Sequence, residues 1–290
     1  LNLNFFDTKI SQSTSFPYYF NLSEDKELTF IPTINYGAGV DSSQRFNFEY
    51  NQILSGGQLS TILTVDSTFE NNNSDKWLKE GSLINNYNKN INEKFNINIE
   101  SALQTSKNYI QQTNPNDDLS YSSSLKSSFT LNGYYLNKID DRFKLNITSY
   151  QSNQNNEDNK TIPTIFPYIT YYTGDNKTVE YTYKNVFEYN YNNIFEFYNI
   201  FRDTPTSIHS KEQRKFSSKF SINKKYINYG TRINYKAEFY NQLFSVEDKK
   251  INNKTISSNY FRSFPIFGIN LETPFKLKNN YKNLIYTPKL

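Results

Sequence analysis

The chain contains a single histidine, His209, in the stretch "PTSIHSKEQ", with Ser207 and Ser210 close on either side. A serine nucleophile needs a base that meets it in space and a carboxylate that orients the base, and adjacency along the chain supplies neither. His209 therefore reads as a polar loop residue. No paired-histidine or His-x-Glu spacing suggests zinc. With zero cysteines there are no thiolate ligands or disulfides in this segment, and no glycine-rich phosphate loop occurs. The acidic pairs Asp117–Asp118 and Asp140–Asp141 have the oxygen chemistry to touch calcium, but both fall in turn-like stretches and read as solvated. The expectation is a protein that is not an enzyme and holds no metal or cofactor.

What the spacing does carry is amphipathic alternation. In residues 26–36, Leu28, Phe30, Pro32, Ile34 and Tyr36 fall on one face. Glu27, Thr29, Thr33 and Asn35 fall on the other, and Ile31 breaks the pattern. "RFNFEYNQ" sets Phe46, Phe48 and Tyr50 against Arg45, Asn47 and Glu49. The scheme recurs in "LSTILTVDSTF", "KFNINIES", "RFKLNITSY", "RINYKAEFY" and "GINLETPFKL". Period two with no sustained helical period predicts strands. Turn signals punctuate the runs: "LSGGQ", "ENNNSDK", "QQTNPNDD", "NQNNEDNK", "YTGDNK", "FRDTPTS" and "VEDKKINNK". The fold class expected is all-β, an antiparallel meander of roughly ten to thirteen strands. No composition shift marks a boundary, so residues 1–290 are expected to form one unit.

Composition narrows the class. Aromatic residues make up 17% of the chain, while mean hydropathy is −0.77. Asn-rich, aromatic-spiked chains can be disordered or prion-like, but here the aromatics follow a two-residue period. The net charge of +4, from 32 basic and 28 acidic residues, is spread without blocks, so no nucleic-acid patch is expected. Zero methionines read as an excised or mature segment, which leaves room for a targeting signal in the missing part. No window approaches 18 consecutive apolar residues, which excludes a transmembrane helix but not a membrane β-barrel, whose strands need only about 9–11 residues. A soluble sandwich stays open beside the barrel. The barrel is favoured by aromatic run ends ("PYYF", "PYITYY", "EFYNIF"), by Lys, Arg and Glu in mid-strand, and by long runs such as 179–201.

"FPYYFNLSEDKELTFIPTINYGAG" carries a resemblance. Pro17, Tyr18, Tyr19, Phe20 and Asn21, a polar turn, then Leu28, Thr29, Phe30, Ile31 and Pro32 resemble the start of the barrel domain in the LptD (organic solvent tolerance protein) family. Its members assemble lipopolysaccharide in the Gram-negative outer membrane. The spacing of the two prolines agrees with the family. "DRFKLNITSYQSNQ" before "TIPTIFPYITYYTG", and "FRSFPIFGINLETPFKL" with "NLIYTPKL", are weaker echoes that extend the resemblance over most of the chain.

The resemblance implies an incomplete part of a large transmembrane outer-membrane barrel of about 26 strands, without the preceding periplasmic jelly-roll domain and the closing strands. It implies lipopolysaccharide export through a seam that parts at the first strands. Pro17, Tyr18, Tyr19, Phe20 and Pro32 are then the lateral-gate candidates. Glu27, Thr29, Thr33, Asn35, Arg45 and Glu49 are the candidates for the lumen wall. The implied partners are lipopolysaccharide, outer-membrane lipids, an LptE-like plug lipoprotein and an LptA-like periplasmic bridge reached through the missing N-terminal domain. Another outer-membrane barrel of porin or receptor type, or a soluble adhesive β protein, are the other readings.

Overall fold

The computed structural model describes residues 2–6, 11–37, 43–70, 76–113, 118–136, 140–154, 157–181, 185–206, 208–228, 231–251, 254–273, 275–278 and 283–286. The strands are β1 (Asn2–Phe6), β2 (Ser11–Ser15), β3 (Tyr18–Ser23), β4 (Lys26–Gly37), β5 (Ser43–Leu54), β6 (Gly57–Glu70), β7 (Lys76–Asn90), β8 (Phe95–Gln104), β9 (Ser124–Tyr134), β10 (Asp141–Ser152), β11 (Thr164–Thr173), β12 (Asn176–Tyr181), β13 (Asn185–Phe201), β14 (Glu212–Asn228), β15 (Thr231–Ile251), β16 (Lys254–Glu272), β17 (Phe275–Lys278) and β18 (Asn283–Tyr286). One short helix, α1 (Tyr109–Thr113), and 3-10 turns at Asp118–Tyr121 and Asn159–Thr161 interrupt them. Twelve strands have ten residues or more, within the range expected from periodicity, and six short ones bring the described total to eighteen.

The architecture is an antiparallel meander. The sheet order is β1-β2-β4-β5-β6-β7-β8-β9-β10-β11-β13-β14-β15-β16, with β3 beside β4 and β12 beside β13, while β17 and β18 form a separate pair. The chain divides into two compact units, residues 1–131 with 146–165 and 202–204, and residues 132–145 with 166–201 and 205–290.

In the first unit, register stacks the alternating residues into rows. Phe30 opposes Phe48, Phe48 opposes Leu63, Leu63 opposes Leu83, and Leu83 opposes Leu103. Because side chains alternate faces, one matched row fixes all the others. The Phe30 ring lies 4.9 Å from Phe48 and 6.4 Å from Tyr18. In the second unit, Phe216 opposes Leu243 and Leu243 opposes Phe261. Phe220 stacks on Phe239 at 6.4 Å, and Phe239 meets Phe267 edge-on at 5.8 Å.

Much of each apolar row is exposed. Phe48, Leu63, Val65 and Leu103 are exposed in the first unit, as are Phe216, Leu243, Phe261 and Phe267 in the second, where Phe267 reaches 70%. The buried side chains are mostly polar: Ser43, Thr64, Asp66, Ser82 and Gln104 in the first unit, Ser221 and Glu238 in the second. The arrangement is inverted relative to a water-soluble core.

The loops place the long connections at one end of the first unit. Residues 24–25, 55–56 and 91–94 join β3–β4, β5–β6 and β7–β8 with short turns, and Gly56 supplies the positive φ, 78°, of the β5–β6 turn. Alternate connections in a meander fall at the opposite end, where residues 105–123 form the longest. One turn and one long run differ from the sequence expectation. "VEDKKINNK" is largely strand, because β15 runs on to Ile251, past an irregularity between Val246 and Lys249 that absorbs Asp248 at φ 53°. The run 179–201 is not one strand, since β12 turns back and pairs Val179 with Glu188.

Candidate functional site

The two prolines lie at one edge of the first unit. β2 and β3 both pair with β4, with Ser15 opposite Thr33 and Tyr18 opposite Phe30. One register therefore continues through the break and sets Phe16 against Pro32 and Pro17 against Ile31. In an antiparallel ladder, opposed residues alternate between pairs that exchange two hydrogen bonds and pairs that exchange none. The Phe16 N–H donates to the Pro32 carbonyl at 3.1 Å, which makes this a bonded pair. Pro32 has no N–H to return.

Pro17 belongs to a non-bonded pair by the same alternation. Its missing N–H would have pointed away from β4, to the side on which β3 has no partner among the described residues. Both prolines lack a donor, but the two losses fall on different sides of the edge. Pro32 removes one bond between β4 and the edge, about 0.5–1.5 kcal/mol net in water and more in lipid. Pro17 removes a donor from the open edge, where proline is commonly placed to blunt further pairing.

All six residues of β3 are exposed. Tyr18 and Phe20 share the apolar face with Phe30 and Leu28, while Tyr19 lies opposite Thr29 on the polar face. The Tyr19 hydroxyl donates to Glu27 at 3.0 Å, and the Asn51 amide donates to the same carboxylate at 3.0 Å. At the hairpin turn, the Ser23 hydroxyl donates to Asp25 at 2.6 Å and holds that carboxyl below the usual aspartate range. The three gate-candidate aromatics therefore divide between the two faces.

The polar-face candidates lie together on β4 and β5. Thr29 opposes Glu49 and Thr33 opposes Arg45. The Asn35 amide donates to Ser43 at 2.7 Å. Arg45 pairs with Asp66 at 3.0 Å, and Asp66 is only 4% exposed. A second N–H of Arg45 reaches the Thr113 carbonyl at 3.2 Å, at the end of α1, where a cation complements the helix terminus.

That contact belongs to a feature periodicity did not reveal. Residues 105–113 and 118–123, expected to include a simple turn, fold back over the polar face of this unit. Tyr109 and Ile110 are 1% and 2% exposed and form, with Ala102, Leu125 and the partly buried Leu119, a small apolar cluster. Burial raises the Tyr109 hydroxyl pKa, with the nearby Asp66 carboxylate adding to it and Arg45 opposing. The Gln104 side chain accepts from the Ile110 N–H at 3.1 Å and donates to Asn153 at 3.0 Å, and Asn153 donates to the Ser122 carbonyl at 3.0 Å. The available signal was a set of large side chains, Tyr109, Ile110, Leu119 and Tyr121, in a mostly polar connection, of which Tyr121 stays exposed.

In the second unit the polar face carries ion pairs, three of them across strands and one, Lys236 with Glu238, along β15. Lys215 meets Glu196 at 3.1 Å, Lys225 meets Glu188 at 3.2 Å, and Lys219 and Lys236 meet Glu238 at 2.7 and 3.1 Å. Arg262 lies 5.6 Å from the rings of both Phe244 and Phe264 and donates to Gln242.

The hydrolytic constellation does not form among the described residues. His209 sits in an exposed turn closed by its carbonyl accepting from the Thr206 N–H at 3.0 Å and its N–H donating to the Thr206 hydroxyl at 2.9 Å. Ser207 lies outside the described residues, and Ser210 is buried. Asp117 also lies outside them. Asp141 corrects the solvated-turn expectation: it starts β10, is buried, and accepts from the Tyr171 hydroxyl at 3.4 Å. Among the described residues, no three metal-ligating side chains cluster, and no helix is long and apolar enough to cross a membrane. No family model matches the chain, and the curated proteins contain no match to it.

Proposed function

We propose that this chain is part of an outer-membrane β-barrel that inserts lipopolysaccharide into the outer leaflet through a seam at its proline-bearing edge. The observation that carries the reading is the pairing of an inverted sheet with a weakened edge. Long antiparallel strands expose aromatic and aliphatic rows on one face and gather Arg, Lys, Glu, Asp and Asn on the other. In water such apolar rows would drive association. In a bilayer they match the lipid-facing band of a barrel, and the charged face suits a wet lumen.

The substrate's chemistry explains the edge. Lipopolysaccharide has a sugar part that needs a polar route and acyl chains that need an apolar one. A sheet edge with its polar face on one side and its apolar face on the other offers both, provided the edge can part from its neighbour. Edge backbone groups cannot stay unpaired in lipid, so the edge requires a closing strand with which it pairs reversibly. Pro17 lowers the number of bonds any such strand can make, and Pro32 loosens the edge from β4. The resemblance of "FPYYFNLSEDKELTFIP" to the LptD family supplies the substrate. On that reading, a plug lipoprotein and a periplasmic bridge are the partners.

The test is depletion of the full-length protein in its Gram-negative host. Loss of newly made lipopolysaccharide from the cell surface supports the reading. Unchanged surface lipopolysaccharide together with loss of small-solute uptake would replace it with a porin or receptor barrel.

A further inference from the structure

We propose that the connection after β8 is a built-in strap, with residues 105–113 and 118–123 occupying the channel side of β5–β8 until they swing clear for a bulky substrate. This rests on the reading of the polar face as a channel wall, and names a regulation of that channel. The strap packs Tyr109, Ile110 and Leu119 with Ala102 and Leu125 of that wall, where Thr64, Asp66, Ser82 and Gln104 are also buried.

Three features make it displaceable. The ladder of β5–β8 runs without interruption through the covered region, so the strap can leave without breaking a strand pair. Beside Ala102 and Leu125, the wall it would uncover carries Thr64, Asp66, Ser82 and Gln104, polar groups that water can hydrate. Its apolar hold is three side chains, set against the conformational entropy of ordering residues 105–113 and 118–123.

Arg45 is the latch. Asp66 fixes one side of its guanidinium at 3.0 Å, and another N–H holds the Thr113 carbonyl at 3.2 Å. Arg45 thereby joins the channel wall to the end of α1. Substituting it releases the strap's attachment at that point without removing a backbone pairing of β5 with β6.

Single-channel recording of the full-length protein in planar bilayers tests this. Wild-type protein is expected to show a low-conductance state, and Arg45→Ala a several-fold rise in time spent at high conductance. Lys126→Ala, which removes an exposed ion pair with Glu100 on the same unit, serves as the control and should behave as wild type. A second readout guards against misfolding of the first variant. The chain has no cysteine, so Ser120→Cys provides a unique buried thiol, which an impermeant maleimide should label about tenfold faster when Arg45→Ala is added. A conducting barrel in which Arg45→Ala changes neither conductance nor labelling overturns the strap and leaves the barrel standing. Absence of conductance in every variant overturns the barrel reading, and the strap with it.

Discussion

Phe16 donates its backbone N–H to the carbonyl of Pro32 at 3.1 Å, and Pro32 returns nothing. Half of one bonded pair is therefore absent between β4 and the edge strand. Pro32→Ala restores the missing donor. We expect it to strengthen the edge by about 0.5–1.5 kcal/mol and to slow lipopolysaccharide export, while Pro17→Ala leaves the β3–β4 seam unchanged. Hydrogen exchange at the Phe16 and Tyr18 amides checks this. Equal protection gained from both substitutions would show that the register assigned through the break is wrong.

The outward rows give a test of the membrane face. Phe48→Arg or Leu63→Arg places a cation among Phe30, Phe46 and Leu83, and should cost about 2–4 kcal/mol if the row lies near the bilayer midplane. Thr29→Arg, on the opposite face, should cost far less. Folding equilibria of the full-length protein in lipid vesicles measure both, and similar costs on the two faces would contradict the inside-out assignment.

Asp66 is almost wholly buried and faces Arg45. Arg45→Ala removes the cation facing that buried carboxylate and should destabilise the protein by about 3 kcal/mol. Arg45→Ala with Asp66→Ala should lose less than the single variant. Denaturant titration of the four proteins of this cycle gives the coupling.

The hairpin turn carries a pH signature. Ser23 donates to Asp25 and lowers the pKa of its carboxyl from the ordinary 3.8. The folded value is below the unfolded one, so the contribution is complete above the ordinary value and is lost as pH falls through the lowered one. Ser23→Ala should move the Asp25 titration up toward its ordinary value, as followed by NMR of the carboxyl carbon. A titration that does not move would place the cause elsewhere.

Much of the sheet was legible in the sequence because period two converts directly into faces. Phe30, Phe48 and Leu63 fell on one side by parity alone, and the structure pairs them in adjacent rows. Arg45 and Glu27 fell on the other side in the same way. Periodicity says nothing of which carboxylate an arginine meets, and Asp66 is 21 residues from Arg45. The strap was hidden for a related reason. Tyr109, Ile110 and Leu119 follow no repeat, and only tertiary packing shows that they turn inward. The division of Tyr18, Tyr19 and Phe20 between two faces was implicit in the alternation, yet grouping them as one aromatic motif obscured it. The prolines were visible as anomalies, but which neighbour each had lost depended on the ladder's phase.

The most direct test of the central claim places a photo-cross-linking residue at Tyr19 in the full-length protein, in cells making lipopolysaccharide. Tyr19 is 62% exposed, on the polar face of the edge strand. The account requires an adduct with lipopolysaccharide at this position, diminishing when new synthesis is stopped. Absence of any adduct at Tyr19, at normal protein level and with export running, would contradict it.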